Sequence, residues 1–123
     1  PTMVYAADHG FINHPDHRAA GQATLDAVFP MARDHLTFPE LYAEGHQPHK
    51  TATVLLVNFE NPNYFSDITD TLETKFAIMS AHQSQDFGSK ETLAKAESLM
   101  AKMGSKCGYR YAESFVRIDI DLT

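Results

Sequence analysis

The chain opens on a short, nearly unbroken apolar run, Thr2-Met3-Val4-Tyr5-Ala6-Ala7-Asp8, which closes in the turn-forming Asp8-His9-Gly10. A run of that length predicts a strand covered on both faces, the pattern of a parallel sheet. Pro15 then holds His14 out of the helical region and is well placed at a first helical position, with Asn13 or His14 near the cap. Gly21, Leu25, Val28, Phe29 and Ala32 fall on one face of the helix that follows, and Pro30 bends or ends it. Residues 34–50 lose the periodicity. They hold Gly45, Pro48 and a possible helical turn at Phe38–Tyr42, and they are long for a structureless connection, so they are functional or partly ordered.

The clearest strand is the β-branched run Thr51–Asn58. After a loop at 60–64, Asp67–Asp70 reads as a short extended piece leading to a helix capped by Ser66 or Thr69. Its stripe is Leu72, Phe76 and Met79, and it is expected to reach about Gln85. Phe87-Gly88-Ser89 breaks the chain, and Ser89 or Lys90 starts a further helix with Leu93, Ala96, Met100 and Met103 on one face and Gly104 at its C′ position. The tail Phe115–Leu122 alternates apolar and polar residues, the period of a half-exposed strand. The order is strand, helix, irregular loop, strand, helix, helix, strand. It predicts an α/β fold, a single domain over residues 1–123 with a mainly parallel sheet and flanking helices. So thin a sheet leaves outer strands with open pairing edges.

Composition narrows the classes. The 123 residues carry 16 acids against 10 bases, which argues against binding a nucleic-acid backbone. No apolar stretch is long enough for a membrane-spanning helix, so no membrane partner is expected. A single cysteine, Cys107, makes no internal disulfide and suits a reducing, cytoplasmic setting. It has no neighbouring base in sequence and reads as a structural or exposed thiol rather than a nucleophile. Six of the 7 histidines fall between His9 and His49.

The chemistry concentrates in His14-Pro15-Asp16-His17, after a strand and at the mouth of a helix. Loops leaving the carboxyl ends of parallel strands are where α/β proteins bind ligands. Two imidazoles about one turn apart, with a carboxylate between them, can provide a metal ligand, an acid–base group and an orienting partner. The same residues also make an ordinary solvated helix start, with Pro15 at the first position and Asp16 favoured by the helix dipole. Zinc needs three or four ligands, and this tetrapeptide supplies at most two.

Asn13-His14-Pro15-Asp16-His17-Arg18-Ala19 resembles the second motif of the LmbE-like (PIG-L-type) zinc-dependent N-deacetylases. The resemblance continues in order through Gly21–Val28, Phe38-Pro39-Glu40-Leu41, Asp67-Ile68-Thr69, the run from Lys75 to Gln85 with His82, and Tyr111–Phe115. It implies a three-layer, Rossmann-like deacetylase fold and a zinc-dependent hydrolase that removes acetyl from N-acetylglucosamine-like substrates. It gives His17 the role of zinc ligand. His14 becomes an acid or electrostatic stabiliser, and Asp16 the residue that orients it. The family's other motif, of His-Pro-Asp-Asp type, supplies the remaining zinc ligands and the general base, and no second His-Pro-Asp occurs here. The resemblance therefore implies the C-terminal portion of such a domain, lacking the N-terminal half. Alone it is expected to be inactive, with zinc absent or weakly held. An alternative is a non-catalytic module that self-associates, as a homo-oligomer, through exposed sheet edges.

Among the other polar residues, Asp8 suits a turn and His9 lies near the site if it follows the first strand. His82 is as well explained by helix packing as by the site. Glu113 is expected to pair with Arg117 or Arg110, and His35, His46 and His49 to face solvent in the loop.

Overall fold

The computed structural model describes residues 3–58 and 60–120, without the side chain of His9. Thr2 of the predicted first strand and Asp121 and Leu122 of the predicted last one lie outside the described residues. The chain divides into two compact units, Pro1–Asn61 with Val116–Thr123, and Pro62–Phe115.

In the first unit the opening apolar run makes a hairpin. β1 (Tyr5–Ala6) pairs antiparallel with β2 (Phe11–Ile12), Tyr5 opposite Ile12 and Ala6 opposite Phe11. A single 3₁₀ turn at Ala7–His9 joins them, and Gly10, at φ +58°, donates its N–H to the Ala7 carbonyl. That left-handed conformation is cheap for glycine and lets the chain reverse. The strand expected to be covered on both faces is therefore an exposed two-stranded ribbon. Ala6 is fully buried, but Tyr5 is 59% and Ile12 81% exposed.

α1 (Pro15–Val28) follows, with Pro15 at its first position and His14 as N-cap. It stops one residue before the turn at Pro30, because Phe29 is extended at φ −151°, ψ 123°, as a residue before proline prefers. The predicted face holds through Gly21, Leu25 and Val28, whereas Phe29 turns outward. Residues 30–50 are ordered by a 3₁₀ turn at Met31–Arg33 and by α2 (Pro39–Ala43). The His49 N–H returns to the Ala32 carbonyl at 2.7 Å. β3 (Thr53–Val57) completes the unit with the end of the last strand, where the Ile120 N–H reaches the Ala52 carbonyl and the Thr53 hydroxyl donates to Asp119.

The second unit holds β4 (Tyr64–Asp67), α3 (Leu72–Ser80), α4 (Lys90–Ser105) and the first half of β5 (Ala112–Asp119). β4 and β5 pair antiparallel, from Tyr64 opposite Phe115 to Asp67 opposite Ala112, and the strand order is β3-β5-β4. Ile68, Leu72 and Met100 form a buried cluster, with Phe76, Ala96 and Tyr111 packed against it, while Met103 is 1% exposed. The predicted faces of α3 and α4 thus meet in one core. Ser89 caps α4 by accepting the Thr92 N–H.

Three local expectations change. Thr71, in place of Ser66 or Thr69, is the N-cap of α3 and makes no side-chain capping bond, while Asp67 organises the turn before it. Asp67 accepts both the N–H and the hydroxyl of Thr69 across a 3₁₀ turn. α3 ends at Ser80, five residues short of Gln85, and a separate 3₁₀ turn covers Gln83–Gln85. Gly104 lies inside the last turn of α4, and a Cβ there would come within 2.5 Å of the Tyr109 carbonyl oxygen. It permits a close approach of backbone to helix.

The fold is α/β, but the strand pairs β1–β2 and β4–β5 are antiparallel where a mainly parallel sheet was expected. The four-residue link between β1 and β2 is too short for a parallel crossover. Between β4 and β5 the chain traverses two helices, and a second helical pass sends the returning strand the opposite way. No helix among the described residues is long and apolar enough to cross a membrane.

Candidate functional site

The site is built from its anchor outward. Asn13 is 1% exposed; its N–H bonds the Val4 carbonyl at 2.9 Å and its Nδ2 donates to the Met3 carbonyl at 2.7 Å. A buried side-chain amide satisfied by the segment before β1 fixes where α1 begins. The next residue, His14, has extended ψ (140°) and uses its own ring as the cap: Nδ1 accepts the Asp16 N–H at 3.2 Å. Imidazole nitrogens rarely take that place, which serine, threonine, asparagine and aspartate dominate. Accepting through Nδ1 leaves Nε2 as the proton-bearing nitrogen of the neutral ring.

Asp16 holds its carboxylate 3.7 Å from His14 Nδ1, so a charged His14 would find an anion beside it. Both side chains are well exposed, at 63% and 89%. His17 lies one turn on, exposed, with its ring centroid 5.6 Å from that of His14 and tilted by 49°. The structure therefore brings His14, Asp16 and His17 together on the first turn of α1. This gives two imidazoles and a carboxylate in water, able to exchange protons and to bind a polar group. Among the described residues no group of three or more His, Cys, Asp or Glu is placed to hold a metal ion. These residues alone do not make a zinc centre.

The remaining candidates separate. The side chain of His9 lies outside what is described. His82 follows α3 in the other unit and packs edge-on against Phe87, with ring centroids 6.2 Å apart at 75°. Glu113 pairs with Lys75, in place of the expected Arg117 or Arg110; both side chains are about one-third exposed. Arg117 instead bonds Asp119. The Lys75–Glu113 pair borders a groove of about 340 Å³ with Ile68, Thr71, Ile78 and Met79. The Cys107 thiol donates back to the carbonyls of Gly104 and Met103, the contact of a structural residue at a helix end.

Reading residues one at a time misses a second feature of the first unit. His35, His46 and His49, each expected to be merely solvated, line a common hollow of about 210 Å³ with Phe38, Leu41 and Tyr42. The signal was the crowding of histidines before His49. The backbone bond from His49 to Ala32 gives that crowding its meaning.

No family model matches the chain. A diacetylchitobiose deacetylase of Thermococcus kodakarensis is similar to it, 33% identical over 102 residues. The match takes in 81% of this chain, and the chain spans only 38% of that relative's length.

Proposed function

We propose that this chain is part of an LmbE-like zinc-dependent N-deacetylase acting on N-acetylglucosamine-type sugars, and that alone it is inactive. One observation carries the reading. A protein named for deacetylating diacetylchitobiose aligns across most of the chain, and the first turn of α1 gathers His14, Asp16 and His17. In this reading His17 is one zinc ligand, and the others come from residues outside this chain. The described residues do not complete such a metal site. His14 offers its Nε2–H to the oxygen that gains charge when the amide carbonyl is attacked, and Asp16 stabilises the ring if it becomes charged. A three-layer, Rossmann-like arrangement of the whole domain and a cytoplasmic setting belong to the same reading.

Grafting tests it. The matching segment of the Thermococcus relative is replaced by this chain, and the chimera's zinc content and hydrolysis of diacetylchitobiose are measured. Bound zinc and turnover are expected, both lost in His17→Ala. A folded chimera that keeps both without His17 overturns the assignment. Robust turnover by the isolated 123-residue chain with added zinc overturns its inactivity.

A second reading, self-association, is favoured by the exposed apolar ribbon of β1 and β2, where Tyr5 is 59% and Ile12 81% exposed on a two-stranded sheet. Sedimentation over a range of concentrations decides it. A monomer throughout rejects the module, and a concentration-dependent dimer supports it.

A further inference from the structure

We infer that the hollow lined by His35, Phe38, Tyr42, His46, Gln47 and His49 is a carbohydrate-binding site that takes one ring of an N-acetylated sugar. The inference rests on the proposed function only for the class of sugar; the site itself uses none of the residues of the His14 cluster.

Its shape is made by backbone. The His49 N–H closes on the Ala32 carbonyl at 2.7 Å, His46 on Leu41 at 3.0 Å and Gly45 on Tyr42 at 3.0 Å. The segment is thus a compact loop whose ends meet, a kind of loop that often carries function. Because the main chain holds the shape, the side chains that line it are left to meet a ligand. At about 210 Å³ the hollow is smaller than the roughly 300–1,000 Å³ of drug-sized pockets and suits a single ring.

The lining matches a sugar in kind. Phe38 and Tyr42 are 44% and 47% exposed, offering aromatic faces against which the C–H face of a pyranose can lie. The His35 ring braces Tyr42 from the side, with centroids 5.3 Å apart at 45°. Each neutral imidazole carries one donor and one acceptor, and the Gln47 amide carries both, which is the pairing that hydroxyl and acetamido groups require. Charge is largely withheld. Asp34, which also lines the hollow, accepts the Leu36 N–H at 2.7 Å and the Thr37 hydroxyl at 3.1 Å. An aromatic hollow with paired donors and acceptors, whose lining carboxylate is already hydrogen-bonded by its own loop, fits a neutral sugar.

The test is a titration of the isotopically labelled 123-residue chain, following histidine and tyrosine ring signals by NMR as N-acetylglucosamine and then N,N′-diacetylchitobiose are added. Saturable shifts of Tyr42, His46 and His49 are expected with either sugar. Binding should weaken by about tenfold in Tyr42→Ala and change little in Tyr42→Phe, which keeps the ring. His46→Ala, an exposed position whose backbone makes the closing bond, weakens binding without a fold penalty. The same shifts persist in His17→Ala. Three results overturn the proposal: no movement of these rings at saturating sugar, movement abolished by His17→Ala, or movement caused by zinc alone and by no sugar. Failure of the zinc-loaded chimera with the hollow still binding sugar would reject the deacetylase reading and leave the hollow standing.

Discussion

The two compact units keep their apolar residues in different places. In the unit over residues 62–115, apolar side chains from α3, α4 and the segment beside β4 converge on Leu72 and Met100, and Met103 is nearly sealed. In the other, Ile12, Leu36, Phe29 and Tyr5 are all more than half exposed, and the buried apolar residues are Ala6 and Val54. Yet that unit carries His14, Asp16, His17 and the histidine-lined hollow. Its elements are held by directed polar contacts: Asn13 to Met3, Asp34 to Leu36 and Thr37, Ala7 to Glu60, His49 to Ala32. Burial makes one half a scaffold. Hydrogen bonding gives the other its shape while leaving its surface open, and binding regions are drawn from such less stable parts of a fold.

The sharpest way to break this contrast is to empty the core. Met103→Ala should cost about 2–5 kcal/mol in urea unfolding, and a loss under 1 kcal/mol would mean that the second unit is not packed as described. Gly104→Ala comes next. Its methyl group would meet the backbone of Tyr109 and Arg110, so about 1–3 kcal/mol of destabilisation is expected, against the slight gain that alanine brings in an unobstructed helix.

Acid provides a third test. Hydrogen bonds from the Thr69 hydroxyl and N–H hold the Asp67 carboxyl below its usual range. A group depressed in the folded state adds stability that is fully present above its unfolded range and is lost as pH falls through the folded value. Unfolding midpoints measured from pH 7 to pH 3 should therefore fall more steeply for the native chain than for Asp67→Asn, and equal slopes would remove Asp67 from the account. The smallest effect belongs to the ribbon. Ile12→Ser should change stability by no more than about 0.5 kcal/mol, because Ile12 is 81% exposed; a large loss would show that the apolar ribbon is covered in solution.

What could be read from the sequence was local. The stripe Leu93, Ala96, Met100 and Met103, the Ser89 cap and the Pro15 helix start all rest on residues within a turn or two of one another, and they stand as expected. So does the gathering of His14, Asp16 and His17, which helical spacing requires. What was missed depends on where distant segments return. Strand direction follows from how many helices intervene between β4 and β5, and from the left-handed Gly10 turning β1 back on itself. Glu113 found Lys75 because β5 runs beside α3, a neighbour that the nearby arginines concealed. The three loop histidines share a hollow through one long-range backbone bond that no periodicity announces.

That bond has a consequence for how such a chain changes over time. Because Ala32 and His49 meet, the segment between them departs from and rejoins the fold at nearly one point. Its length and residues can be rewritten without displacing α1 before it or β3 after it, and doubling a flexible loop costs only about 0.6 kcal/mol. The hollow is in effect an exchangeable cassette, free to acquire a different ligand preference while the helix that presents His14 and His17 stays where it is.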